Sequence, residues 1–121
     1  MDHIHLQLPW PPSVNRYWRN VSGRTILSAK GREFKKSAST AVRYRRYLYN
    51  CPLPLKGRLS VSVTLHSPTK ARMDIDNRIK ALLDALQYAG VFEDDGQVDR
   101  LSIVRGDTIK GGGVEVDVVE I

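Results

Sequence analysis

At 121 residues and a net charge of +6, the chain is long enough for one domain around one core, and 41% hydrophobic against 26% charged residues is ordinary globular material. No apolar run approaches the roughly 20 residues that cross a bilayer, and MDHIHLQLPW lacks the basic-then-apolar order of an export signal, so no membrane role is expected. A single cysteine, Cys51, excludes an internal disulfide and fits a reducing cytoplasm, where it reads as a small packing residue.

The charge is unevenly placed. Residues 1–72 hold 14 Lys and Arg against Asp2 and Glu33, a net of +12, whereas residues 73–121 hold 5 against 11 Asp and Glu, a net of −6. A cationic first part suits a polyanion, either nucleic acid or an anionic membrane face, although scattered Lys and Arg also serve as a plain soluble surface.

Taken in chain order, HIHLQL (3–8) alternates polar and apolar and predicts a strand with Ile4, Leu6 and Leu8 facing inward. PWPPSVNRYWRN follows, and three prolines within four residues can neither continue a sheet nor open a long helix. Within it, Arg16, Tyr17, Trp18 and Arg19 mix cation and ring, a combination that grips a phosphate backbone or stacks on an unpaired base; equally, the rings can cover the edge of the core. Gly23 and RTILS suggest a short strand or hairpin arm.

Ser28 is a good N-cap for a helix running to about Leu48. On a 3.6-residue period Phe34, Ala38, Ala41 and Leu48 share one side, while Arg32, Lys35, Lys36, Arg43 and Arg46 share the other; Gly31 weakens the first turn by up to ~1 kcal/mol. After a loop at 50–57, RLSVSVTLH (58–66) is a strand with Leu59, Val61, Val63 and Leu65 on one face. A loop with Lys70 and Arg72 leads to a second helix over about Asp74–Ala89. Ile79, Leu82, Leu83 and Leu86 form its buried stripe, Asn77, Lys80 and Asp84 lie opposite, and Gly90 is the stop. VDRLSIVRG and GVEVDVVEI are two closing strands around a turn that contains Lys110. The economical arrangement is a single α+β domain over 1–121: two layers, a mixed sheet with two main helices packed on it. The strand order does not follow from the sequence.

Two stretches concentrate acid, RMDIDNRIKALLDAL (72–86) and EDDGQVD (93–99). Asp74 and Asp76, at i and i+2 near a helix start, have oxygens that can converge on one hard cation. Mg²⁺ prefers oxygen ligands and often takes only one or two carboxylates plus water and phosphate. Asp94 or Asp95 is the natural third carboxylate. Lys80, beyond Asp76, has an ammonium suited to a phosphate or a developing oxyanion. The plainer alternatives are helix-start acids that favour the dipole, a polar turn at 93–96, and a solvated lysine paired with Asp76 or Asp84. The basic helix face at 28–48 can contact phosphates or simply face solvent, and His3, His5 and His66 read as surface residues.

The chain resembles the RusA family of Holliday junction resolvases of bacteria and their prophages. The likeness is carried by LPWPPSVNRYWR, RMDIDNRIKALLDAL, GVFEDDGQV and the KGGG turn, nearly the whole chain. The D-x-D-N-x-x-K-x-x-x-D segment followed by G-x-x-x-D-D is more specific than any one part. The resemblance implies a Mg²⁺-dependent endodeoxyribonuclease, with Mn²⁺ able to substitute, that nicks a four-way junction in branched DNA symmetrically as a homodimer. It places the metal-binding aspartates on Asp74, Asp76 and Asp95, and the active-site lysine on Lys80. Asn77, Asp84 and Asp94 also sit at motif positions. DNA-binding is expected of Arg16, Arg19, Lys35, Lys36, Arg43, Lys70, Arg72 and Lys110, in a cytoplasmic protein encoded by a bacterium or a prophage. Rival expectations are a non-catalytic nucleic-acid-binding module, a metal nuclease acting on flaps or RNA, and a small structural protein with a basic surface.

Overall fold

A computed structural model describes residues 2–50 and 52–121, so the packing role expected of Cys51 lies outside the described residues. Four strands form one mixed sheet in the order β1 (His3–Leu8), β6 (Gly113–Glu120), β4 (Leu59–His66), β5 (Val98–Arg105). The pairs β1–β6 and β6–β4 are antiparallel, and β4–β5 is parallel. A parallel neighbour needs a crossover, and α3 (Ile79–Tyr88) supplies it. A separate ribbon of β2 (Trp18–Val21) and β3 (Arg24–Leu27) turns at Ser22 and Gly23, both with positive φ. That is the backbone twist a two-residue hairpin favours.

The period-2 pattern sets which face is buried. Ile4, Leu6 and Leu8 meet Val118, Val116 and Val114, which meet Val61, Val63 and Leu65, and Leu59 continues the same buried side of the sheet. Against them pack Phe34, Ala38 and Val42 of α2 (Ala29–Tyr49) and Ile79, Leu82, Ala85 and Leu86 of α3. The opposite face is polar and uncovered by any described helix. There His5 bonds Asp117 at 2.7 Å and His66 bonds Glu115 at 2.8 Å, so these two histidines are cross-strand partners of carboxylates. The two-layer α+β arrangement agrees with the expectation from the element pattern.

Several details differ. The second helix begins at Ile79 rather than Asp74; Asp74 to Arg78 form turns closed by Asn77 N–H to Asp74 O (3.4 Å) and Ile79 N–H to Asp76 O (3.2 Å). The Asn77 carbonyl accepts Val14 N–H at 2.8 Å, which ties this turn to the short helix α1 (Val14–Tyr17). Leu48 is 48% exposed, because α2, at 21 residues or about 31 Å, overshoots the sheet and carries its last turn beyond the core. Lys35 does not stand on the solvent side. Its ammonium lies 3.5 Å from Asp84 and 4.7 Å above the Tyr88 ring. Finally, Gly31 has a packing reason. A Cβ there would sit 2.5 Å from the Tyr17 carbonyl oxygen and 2.8 Å from Leu27 Cδ1.

Candidate active site

The parallel pair β4–β5 gives the sheet one end at which two strands finish side by side. Beyond the carboxyl ends of β4 and β5 lie the 67–78 segment and the turn before β6, joined by Ile109 N–H to Ser67 O (3.1 Å) and Arg105 Nη2 to Met73 O (2.9 Å). In open sheets with parallel strands, ligands bind at this edge. Asp74, Asp76, Lys80, Lys70, Arg72 and Lys110 are all on this end, and all are exposed.

The acids of the chain divide into those bonded within the fold and those that are not. Asp84 accepts the Tyr17 hydroxyl and the Lys35 ammonium, which makes it an internal post between α1, α2 and α3. Burial first, and then Asp84, push the Tyr17 phenol far above its ordinary range, so it stays a protonated donor. Asp99 holds Arg58 through two Nε contacts of 3.0 and 3.1 Å; that bond draws the carboxyl below its usual range and raises the guanidinium. Glu115 raises the His66 imidazole through its hydrogen bond, with the Asp107 carbonyl as a second partner. Glu120 takes Gly57 N–H at 2.8 Å. By contrast, the side chains of Asp74, Asp76, Asp95 and Lys80 make no hydrogen bond or ion pair among the described residues.

Exposed, unpaired carboxylate oxygens such as those of Asp74 and Asp76 are the kind of donor a hard divalent cation takes. A centre of three carboxylates is not built within one chain. No group of three or more His, Cys, Asp or Glu side chains among the described residues is gathered closely enough to hold an ion. Asp95 opens the short 3-10 helix Asp95–Gln97, and its N–H donates to Gln87 Oε1 at 3.0 Å near the far end of α3. The ten residues of α3 span about 15 Å, and they separate Asp95 from the 74–76 turn. Asp94 is likewise held at that end, its N–H donating to Gln97 Oε1 at 3.0 Å.

Of the basic residues expected to meet DNA, Arg16 lies on α1, Arg19 on β2, and Lys36 and Arg43 on α2, all exposed. Lys35 is engaged internally, as described. An open cleft of about 680 Å³ lies between the 9–13 loop, the first half of α2 and Asn77–Arg78. Arg78 stacks on Trp10 with its guanidinium 4.7 Å from the ring and donates to the Pro11 carbonyl. Burial, and then the Arg16 charge, lower its affinity for a proton. Sequence reasoning missed Arg78. Its only local mark is a place in the RMDIDNR run, and its partners Trp10 and Pro11 lie 68 and 67 residues away.

Together these features define a small basic domain that exposes unpaired carboxylates and a lysine on a largely cationic surface. Comparison with known sequences narrows the class. Residues 9–119 match the family described as endodeoxyribonuclease RusA. Among its relatives are the crossover junction endodeoxyribonucleases RusA of Enterobacteria phage 82 (36% identical), Enterobacteria phage HK97 (34%) and Escherichia coli strain K12 (35%), each aligned over all of this chain and 98% of the relative. The chain belongs to the RusA endodeoxyribonuclease family. No helix among the described residues is long and apolar enough to cross a membrane.

Proposed function

We propose that the chain is a structure-selective endodeoxyribonuclease that resolves four-way DNA junctions by paired, symmetric nicks. The observation that carries this is that Asp74, Asp76 and Asp95 stand exposed with carboxylates unpaired among the described residues, and Lys80 with its ammonium likewise unpaired, whereas Asp84, Asp99 and Glu115 are bonded within the fold. Free carboxylates beside a cationic surface suit phosphodiester hydrolysis, because the cations hold the phosphates that the acids alone would repel.

Asp74 and Asp76 would hold the divalent cation, Mg²⁺ with Mn²⁺ able to substitute. When bound, the cation supplies an activated water and offsets charge on the phosphate. Lys80 directs its ammonium to the developing oxyanion. Asp95, at the other end of α3, reaches that cation only after its segment moves, or from a second copy of the chain. Arg72, Lys70 and Lys110 flank the acidic turn, and Arg16, Arg19, Lys36 and Arg43 continue the cationic surface over α1, β2 and α2. Lys35 acts indirectly by fixing Asp84 and Tyr88. A homodimer with one site per subunit matches a junction with two equivalent strands to cut. The setting is a bacterial cytoplasm, with the gene carried by the cell or by a prophage.

The test is cleavage of a fixed four-way junction with and without Mg²⁺, mapping nicks on every strand, beside binding at one stated salt concentration. Asp76→Asn keeps the volume and removes the charge, so it is expected to bind the junction and leave it uncut. Full-rate cutting by that variant in Mg²⁺ would remove Asp76 from the reaction. Cutting of flaps or RNA, with junctions bound but intact, would replace the substrate.

A further inference from the structure

We propose that the cleft beside Asn77 and Arg78 seats one backbone phosphodiester of the bound strand, close to the one that is cut. This rests on the reading of the chain as acting on DNA and adds a second, built contact to it. The cleft is lined at one side by Asn77 and Arg78, which directly follow the 74–76 turn in the chain, and that continuity brings the cleft near the turn although Asp74 and Asp76 do not line it.

The argument begins with charge. Arg16, Lys30 and Arg78 all line the cleft, against one carboxylate, Glu33, and no ion pair within 4.0 Å joins any of these groups among the described residues. The two guanidiniums line one cleft, Arg78 feels the Arg16 charge, and no carboxylate forms an ion pair with either among the described residues. Like charges placed together in partly buried surroundings cost free energy, and an anion relieves that cost. The guanidinium of Arg78 is also fixed. Trp10 stacks on one face and the Pro11 carbonyl takes one donor, which leaves the remaining N–H groups in a rigid fork suited to two phosphate oxygens. Ser13, Ser37 and Asn77 add neutral donors on the wall. The cleft is open rather than enclosed, as a site that a continuous strand must cross has to be. A neutral base would not relieve the like charges, and the phosphodiester is the anion that DNA offers.

The experiment is a methylphosphonate walk. Each phosphate of the strand around the cut is made neutral in turn, and binding of the full-length protein to the junction is measured over a salt series without divalent metal, so that nothing is cut. At one position near the cut, neutralisation should weaken binding and lower the log–log salt slope by about 0.9. Arg16→Gln should show the same lower slope on the unmodified junction and no further loss at that one position. Arg16 is exposed and its side chain bonds nothing among the described residues, so this variant is expected to fold. Arg78→Lys, which keeps the charge without the fork, should retain part of the position effect. If Arg16→Gln leaves the penalty at every position unchanged, the cleft holds no phosphate. Paired nicks in Mg²⁺ alongside that result would leave the resolvase reading intact and the cleft assignment refuted. An Arg16-linked position on a junction that is never nicked would support the cleft and refute the resolvase reading.

Discussion

Gly31→Ala separates two accounts of the start of α2. By helix propensity alone, alanine in the first turn should stabilise by ~0.8–1 kcal/mol. The structure reverses the sign. The added Cβ would meet the Tyr17 carbonyl oxygen at 2.5 Å and Leu27 Cδ1 at 2.8 Å. That carbonyl already accepts Ser28 N–H at 2.9 Å, and the Ser28 hydroxyl caps Gly31 N–H at 3.0 Å, so the corner cannot retreat without loosening the helix cap. Overpacking a fitted contact costs ~1–3 kcal/mol, and a weakened backbone bond adds about 1. Set against the propensity gain, the net is a loss of about 1–3 kcal/mol. With 121 residues unfolding at roughly 2.1 cal/mol/K each, 1 kcal/mol moves the melting point by about 4 °C, so Gly31→Ala should melt about 4–12 °C lower. Thermal unfolding followed by circular dichroism reads this directly. A variant that melts at or above the parent would show that the corner is not tight and that Gly31 is an ordinary weak helix residue.

Other predictions follow from the division of the charged groups. Lys80→Ala should slow the single-turnover cutting rate more than it weakens junction binding; an unchanged rate would remove the lysine from the reaction. Tyr17→Phe strips the buried donor from Asp84 and should lower stability by about 1–2 kcal/mol in urea unfolding, an effect that should largely disappear when Asp84 is already Ala, which has no acceptor. His66 has a folded-state pKa above its ordinary 6.5, because Glu115 stabilises the charged ring. Its contribution is therefore complete below about pH 6.5 and declines as pH rises through the raised value. The melting-point gap between the parent and His66→Gln should narrow across that rise, and a gap independent of pH would contradict the assignment.

The elements that could be read from the sequence are those whose burial is periodic. The alternation of Leu59, Val61, Val63 and Leu65 in β4, and the spacing of Ile79, Leu82 and Leu86 in α3, put one face of each against the core, and the structure keeps both. Strand order could not be read, since it depends on partners such as His5 and Asp117, which lie 112 residues apart. The start of α3 was misplaced for a related reason. Asp74 and Asp76 resemble helix-start acids, yet α1 claims the Asn77 carbonyl, and Arg78 is drawn to Trp10 and Pro11. Lys35 sits on the polar stripe by period, but two groups from α3 reach it from the side.

The same distinction applies to the site. Asp74, Asp76 and Lys80 belong to one local motif, so spacing was enough to bring them to one end of the sheet. Asp95 was assigned by likeness, and placing it requires knowing that α3 runs back along the sheet and carries the 91–97 segment away from the acidic turn. The cleft needed still more, because its two arginines come from segments 62 residues apart (Arg16 and Arg78), and only the fold sets them side by side. Groups that act through their own sequence neighbours can be found by motif. Groups that act because unlike segments force them together are visible only once those segments have packed. Charges left without a partner after packing are therefore the more direct guide to where the anionic substrate binds.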